Sequence, residues 1–150
     1  MSLKDFLHKH LAFLRKPERY TQLKEFQIFE GLNNRELNVL DALLYQREYS
    51  KGETLYEKGF PVELVYLILS GEVQLQETQQ SFGAGQVFDL GSLFSSDKRP
   101  DTAIAVEDTE VLALSHSDFN DLINKNRGLG VKVLKNICIQ LSHLTHDRPC

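Results

Sequence analysis

The sequence predicts a mainly β protein, a β-roll or β-barrel with helices at both ends. The first observation is a series of short β-favouring segments, separated by glycines, in residues 49–115. The second is the three- and four-residue spacing of apolar residues on either side of that series, which is typical of helices. The third is the length of 150 residues, which suits one domain with one substantial core.

The N-terminal part, residues 1–45, is expected to be helical. Apolar residues recur at three- and four-residue steps in residues 3–14, and Pro17 is expected to interrupt this first helix. A second helix is predicted at residues 21–29.

A third N-terminal helix is predicted because an asparagine precedes another run of leucines. Asn33 or Asn34 has a side chain that can cap a helix. The helical spacing then continues through Leu44 and breaks near Tyr49, where the β-favouring segments begin.

Residues 46–116 are predicted to form the β unit. Its segments ETLYEKG, LVYLILSGEVQLQ, QVFDLG and TAIAVEDTEVLALS favour strands. This spacing of strands and turns fits a roll or barrel better than alternating βαβ units, and the interior of such a unit could hold a small ligand. The glycines expected at turns are Gly52, Gly59, Gly71, Gly83 and Gly85.

Residues 117–147 are predicted to form C-terminal helices. Ser117 is the expected N-cap of the first, and the second is expected to resume after the RGLG segment at 127–130. Two interpretations of the apolar stripe on the second helix stay open. It either docks on the β unit or pairs with a second chain as a homodimer, since its residues have a/d spacing: Leu134, Ile137, Leu141 and Leu144.

Composition and charge argue against membrane-spanning, nucleic-acid-binding and disulfide-rich proteins. The hydrophobic content is 41%, the charged content is 25%, and no apolar run is long enough to span a membrane. The net charge of −4 and the lack of a Lys/Arg cluster argue against nucleic-acid binding. Two cysteines do not make a disulfide framework, so a cytoplasmic location is expected.

Three segments carry a family resemblance. The segments FQIFEGLNNRELNVL (26–40), KGETLYEKGFPVELVYLILSGEVQL (51–75) and the stretch 85–119 resemble the cyclic nucleotide-binding domain of the catabolite activator and protein kinase A regulatory subunit superfamily. The resemblance implies one domain over residues 1–150, with a β-roll (jelly roll) between N-terminal helices and a C-terminal hinge helix. The resemblance is more specific for the fold than for the function.

The resemblance also implies a phosphate site. In the family, N–H groups at the start of a short helix and an arginine hold the phosphate, and a glutamate accepts a hydrogen bond from the ribose. Counting back from Glu107 places Arg99 on the family arginine. Counting forward from Gly85 places Asp89 on the family glycine and Leu90 on the glutamate.

Two further positions of the implied site depart from the family pattern. Pro100 replaces a hydroxyl residue, and Asp101 replaces a small residue. Gly91, Ser92 and Leu93 would form the first turn of the short helix. In a second registration Gly91 is the family glycine and Ser92 replaces the glutamate. The ribose acceptor is missing in both registrations.

These departures predict weak or absent binding of cAMP or cGMP. Leu90 cannot accept a hydrogen bond, which weakens binding by about ten- to a hundredfold. The carboxylate of Asp89 would repel a phosphate. A further hypothesis is that the carboxylate of Asp89 or Asp101 forms an ion pair with Arg99 in the empty site. Another small anion is an alternative ligand.

Other chemistry has little support. His143, His146 and Cys150 have spacings that a zinc site uses, but no second cluster completes the site, so no metal is expected. Cys138 lies in an apolar helix, where a thiol usually behaves as a small buried hydrophobe, and no catalytic triad is recognisable. The sequence therefore predicts a protein that is not an enzyme.

The expected function is that of a stand-alone regulatory or sensor domain with no certain cofactor. By resemblance, Ser142 and Thr145 lie where relatives contact the nucleotide base, but they are also typical of polar residues on the solvent side of a helix. The helix over residues 131–146 would report ligand binding to a protein partner or a second subunit. No helix-turn-helix follows within the sequence, so direct DNA binding is not expected. The alternative is an interaction or dimerisation module that has lost nucleotide binding.

Overall fold

The described residues of the N-terminal region include two α-helices and a short 3-10 helix. The computed structural model describes residues 2–4, 16–88, 90 and 97–146, so most of the predicted first helix lies outside the described residues. Helix α1 spans Lys16–Lys24 and contains Pro17, and the 3-10 helix spans Gln27–Phe29. The single helix predicted over 21–29 is therefore wrong, because the α-helix ends at Lys24 and a separate turn follows.

Helix α2 (Asn34–Asp41) has the cap that the sequence predicts. The Asn33 side chain accepts a hydrogen bond from the Glu36 N–H at 2.9 Å, and the Glu36 carboxylate accepts one from the Asn33 N–H at 3.2 Å. The predicted continuation through Leu44 is wrong, because the helix ends at Asp41 and Leu44 is the first residue of a strand.

In the part of the chain that the structure describes, eight strands form two four-stranded antiparallel sheets. The first has the order β1-β8-β3-β6 and the second β2-β7-β4-β5, so consecutive strands often lie in different sheets. This arrangement confirms the predicted mainly β roll with flanking helices. The strands are β1 (Leu44–Tyr49), β2 (Thr54–Tyr56), β3 (Leu64–Ser70), β4 (Glu72–Leu75), β5 (Ser81–Gly83), β6 (Val87–Phe88), β7 (Ala103–Ala105) and β8 (Thr109–Ser115).

The corner between β3 and β4 requires a glycine. Gly71 has φ +90°, and a Cβ there would lie 2.4 Å from the Thr109 Oγ1 and 2.6 Å from the Thr109 Cα. The chain can therefore change sheets against the start of β8 only because position 71 lacks a side chain.

The C-terminal helices are α3 (His116–Lys125) and α4 (Arg127–His146). The predicted cap Ser117 is wrong, because the Ser115 side chain accepts the hydrogen bond from the Asp118 N–H. The RGLG segment does not separate the helices but forms the first turn of α4.

The core has two clusters of buried side chains. One lies between the helices and the β1-β8-β3-β6 sheet, and it includes Ile137, which is 1% exposed, with Leu134 and Leu141 packed against it. Ile137 is buried within its own chain and therefore does not face a second chain. Helix α4 packs mainly on the 3-10 helix and on α3 rather than on the β unit. The other cluster lies between the sheets and contains Tyr66, Ile68, Val73, Phe88, Ala103, Val111 and Ala113.

Candidate functional site

Leu90 lies in the hydrophobic core. It is 4% exposed and belongs to the cluster between the helices and the first sheet. A position that the family resemblance assigns to a ribose-binding glutamate thus carries an apolar, buried side chain. The neighbouring predicted site residues Asp89, Gly91, Ser92 and Leu93 lie outside the described residues.

Arg99 joins the two sheets at the start of β3. It is 3% exposed, its guanidinium donates a hydrogen bond to the Leu64 carbonyl, and it lies 4.0 Å from the ring centroid of Tyr56. Strand β6 pairs only with Tyr66 and Leu67, so Leu64 lies beyond the end of β6. The guanidinium thus makes a hydrogen bond to a strand carbonyl and a cation–π contact with an aromatic ring.

The backbone of Arg99 is fixed as well. Its N–H donates to the Phe60 carbonyl at 2.7 Å, and its carbonyl accepts from the Gly59 N–H at 2.9 Å. The β2–β3 connection therefore holds the arginine in place. Pro100, the next predicted site residue, is exposed.

Asp101 has a structural role within the chain. Its carboxylate accepts hydrogen bonds from the backbone N–H groups of Glu77 at 3.0 Å, Thr78 at 3.1 Å and Thr102 at 2.7 Å. Burial alone would raise the pKa of the Asp101 carboxyl. The hydrogen bonds from the N–H groups lower it by more, so the pKa lies below its usual value. The carboxylate thus caps the turn after β4.

The proposed Asp101–Arg99 ion pair is wrong. All the hydrogen bonds of the Asp101 carboxylate within the described residues go to Glu77, Thr78 and Thr102. The alternative pair of Arg99 with Asp89 lies outside the described residues.

Four aromatic rings fill the space between the sheets next to Arg99. The centroid distances are 6.0 Å for Tyr56–Tyr66, 5.5 Å for Tyr66–Phe88 and 5.3 Å for Phe82–Phe88. Burial raises the pKa of Tyr66 to about 12, and the neighbouring Tyr49 adds to the rise. Sequence reasoning missed this aromatic stack, although the strand pattern places these residues on β2, β3, β5 and β6.

A cleft of about 310 Å³ opens beside the stack. We call it the β2–β3 cleft, because it is lined by β2, the β2–β3 connection, the start of β3 and Arg99. Its walls are largely aromatic and aliphatic, and they also carry three charged residues. Its lining residues include Tyr56, Glu57, Phe60, Glu63, Leu64 and Arg99.

Part of the chain matches the sequence model of a known protein family. The model described as "Cyclic nucleotide-binding domain" matches residues 46–126, which run from β1 through α3. This chain belongs to the cyclic nucleotide-binding domain family. The match includes two of the three segments that suggested the resemblance, 51–75 and 85–119, whereas the segment 26–40 precedes it.

Several known proteins are similar to this chain. The cyclic AMP receptor protein of Thermus thermophilus is 32% identical over 111 residues, which are 69% of this chain and 51% of that protein. The lysophospholipase nte1 of Neurospora crassa is 24% identical over 72% of this chain, but only 8% of that protein is matched. The chain therefore spans about half the length of the first relative and a small part of the second.

Solved structures support the same fold. A cyclic nucleotide-binding domain from Methylobacillus flagellatus has a TM-score of 0.76 at 22% identity, covering 91% of this chain and 81% of its own. The catabolite activator protein of Thermus thermophilus has a TM-score of 0.68 at 29% identity, covering 81% of this chain and 59% of its own. The β-roll of this family member is therefore shared with proteins that have diverged widely in sequence.

Helix α4 of this cyclic nucleotide-binding domain has an apolar outer face. Val131 is 51% exposed and Ile139 is 49% exposed, and together with Leu134, Cys138 and one charged residue, Lys135, they line a groove of about 440 Å³. Cys138 is exposed, so the expectation of a buried thiol is wrong. Ser142 is exposed on the same helix, while the side chains of Leu144 and Thr145 lie outside the described residues.

In the ranges given above, no group of three or more His, Cys, Asp or Glu residues is placed to hold a metal ion. The side chain of His146 and all of Cys150, which belong to the zinc hypothesis, lie outside those ranges. No helix in the described part of the chain is long and apolar enough to cross a membrane.

Proposed function

We propose that this chain is a cytoplasmic, non-enzymatic regulatory domain in which the cyclic nucleotide-binding fold is kept and the affinity for cAMP and cGMP is weakened or absent. The observation that carries the proposal is the burial of Leu90 in the core, 4% exposed, at the position of the ribose acceptor. An apolar side chain there offers the ribose hydroxyl no hydrogen bond, which lowers affinity by about ten- to a hundredfold.

The family arginine is kept as Arg99, which is the one feature of the implied phosphate site that favours an anion. Asp101 does not pair with Arg99, because its carboxylate binds the backbone of the turn after β4. Pro100 works against phosphate binding, since it supplies neither an N–H nor a hydroxyl group at the next position.

Isothermal titration with cAMP and cGMP tests this proposal. We expect weak, saturable heat or none, and submicromolar affinity for either nucleotide would contradict it. Complete absence of binding up to millimolar ligand would favour the interaction module over the sensor.

A restored site provides the second arm of the test. The double substitution Asp89→Gly with Leu90→Glu supplies the missing acceptor and should gain affinity if its loss is the cause. Because Leu90 is buried, the substituted chain must first be shown to be folded by circular dichroism and denaturation. A folded double variant without improved binding would mean that other departures dominate.

The apolar outer face of α4 supports a second copy of this chain as partner. The face contains Val131, Leu134, Cys138 and Ile139 together with the charged Lys135, and it replaces the stripe through Ile137 as the candidate dimer contact. A two-fold dimer would bring two identical apolar faces together. In this proposal, ligand binding changes the packing of α4 and hence the contact between the two copies.

A further inference from the structure

We propose that the C-terminal part of α4 has two positions, docked and released, and that Asn136 and Gln140 set the balance between them in opposite directions. Asn136 holds the docked position, and Gln140, one turn further along the helix, opposes it. The inference rests on the proposed function in one respect, because a ligand that changes the packing of α4 would act on this balance. The balance itself belongs to the ligand-free chain.

The first half of α4 is anchored by apolar side chains. Leu129, Val133 and Ile137 are each 1% exposed and belong to the core cluster between the helices and the first sheet. The Lys132 ammonium also lies 2.8 Å from the Glu36 carboxylate on α2. Among the side chains that the structure describes, none after Ile137 on this helix is fully buried. The part of α4 beyond Ile137 therefore has weaker hydrophobic anchoring than the part before it.

The side chain of Asn136 fixes the docked position. Its amide group donates to the Ile28 carbonyl at 3.0 Å and to the Glu30 carbonyl at 2.8 Å. One acceptor lies in the 3-10 helix and the other directly after it. Because one amide group must reach both acceptors, the two bonds form only when α4 lies at one position against this segment.

Gln140 has the opposite effect on the docked position. It lies four residues after Asn136 and thus on the same side of the helix. Its Oε1 atom is buried and has no hydrogen-bond partner among the described residues. An acceptor that is buried without a donor loses its hydrogen bonds to water, which is unfavourable. When the C-terminal part of α4 moves away, water reaches this oxygen, so release removes a cost of docking.

A released segment would exchange its amide protons rapidly. Short helices without tertiary contacts are only marginally stable in water, so residues 138–143 would lose protection when they separate from the core. Strands β3 and β8 lie in the interior of the first sheet and would keep theirs. Hydrogen exchange of the ligand-free chain, measured by mass spectrometry, therefore distinguishes local release from global unfolding.

Two substitutions should change this exchange in opposite directions. Gln140→Met, which removes the buried oxygen at similar length and helix propensity, should slow exchange of residues 138–143 by roughly three- to tenfold. Asn136→Ala should speed it by roughly tenfold, although alanine favours helix formation. Gln22→Met, at an exposed glutamine of α1, is the matched control and should change nothing. At equal protein concentration, β3 and β8 should exchange alike in all these chains.

Three results would overturn the proposal. Unchanged exchange of residues 138–143 in either variant would mean ordinary fraying of the helix end. Faster exchange in Gln140→Met would mean that the glutamine stabilises docking. A parallel change in β3 and β8 would mean that the substitutions act on global unfolding.

The same measurement with cAMP keeps this proposal apart from the proposed function. A bound nucleotide that leaves the exchange of residues 138–143 unaffected would contradict the ligand-driven change in α4. It would not contradict the balance set by Asn136 and Gln140, which is measured without ligand.

Discussion

At the scale of single residues, the carboxylate of Asp101 is a structural group where the family pattern has a small residue. Its three backbone donors lower its pKa, so the folded state holds the proton less tightly than the unfolded state. The stabilisation is therefore present above the unfolded pKa near 3.9 and is lost as the pH falls through the folded value.

We predict that Asp101→Ala lowers the melting temperature at pH 7 and that the difference from the unsubstituted chain shrinks in acid. The substitution leaves the N–H groups of Glu77, Thr78 and Thr102 without this acceptor. Thermal denaturation at pH 7 and near pH 3 measures both effects, with the exposed Asp121→Ala as control. Equal melting temperatures at pH 7 would contradict the capping role.

A second residue prediction concerns alkaline pH. Burial raises the pKa of Tyr66 to about 12, whereas an unfolded tyrosine titrates near pH 10. The neutral phenol thus stabilises the fold below pH 10, and this contribution is lost as the pH rises towards 12. The two values correspond to roughly 2 to 3 kcal/mol.

We therefore predict that Tyr66→Phe makes unfolding less sensitive to pH between 9 and 11. Urea denaturation at several pH values measures the slope. Tyr45→Phe is the control, because Tyr45 is 56% exposed and should leave the slope unchanged. An unchanged slope in Tyr66→Phe would show that other groups dominate alkaline unfolding.

At the scale of elements, the packing of α3 against α4 explains why the RGLG segment is helical. Gly130 lies where a Cβ would be 3.0 Å from the Ile123 Cα, whereas a Cβ at Gly128 would meet nothing within 4 Å. We predict that Gly128→Ala stabilises the chain by up to about 1 kcal/mol through helix propensity. Gly130→Ala should lose this gain or destabilise, because the two helices must separate slightly. Urea denaturation compares the pair, and equal effects would contradict the close approach.

The same elements indicate what the sequence could and could not predict. Spacing of leucines identified the Asn33-capped helix, but it extended that helix into β1, because Leu44 continues a helical spacing while its strand partner is Leu114, distant in sequence. Glycines in RGLG looked like a break, because a tight helix crossing is visible only in three dimensions. In the candidate site, Arg99 was identified through the family resemblance, whereas its contact with Tyr56 and the hydrogen bonds of Asp101 depend on tertiary packing.

Asn136 connects α4 to the N-terminal helical region. Its side-chain amide donates to the Ile28 carbonyl at 3.0 Å and to the Glu30 carbonyl at 2.8 Å. We predict that Asn136→Ala destabilises the chain by about 1 to 3 kcal/mol and speeds amide exchange in α4. Hydrogen exchange with mass spectrometry measures the local effect, with the exposed Asn120→Ala as control. Unchanged exchange in α4 would mean that the amide does not hold the helix in place.

At the scale of the whole molecule, the exposed apolar groups are distributed unevenly. Val131 and Ile139 lie together with Cys138 on the outer face of α4, whereas Ile137 on the other side of the helix is buried in the core. One helix thus contacts its own chain with one side and offers an apolar groove with the other. A regulatory domain that acts through a second copy would need such a free face on the helix that reports ligand binding.

We predict that the chain dimerises through this face and that Val131→Glu with Ile139→Glu abolishes the dimer. Both side chains are about half exposed, so the substitutions should leave the core intact while placing carboxylates in the apolar contact. Light scattering after size exclusion measures the mass, and Tyr45→Glu, an exposed apolar residue on β1, controls for the added charge. A monomeric unsubstituted chain at concentrations on the order of 100 μM would reject the dimer. A dimer that survives the double substitution would instead place the contact on another surface, which would separate dimerisation from any movement of α4.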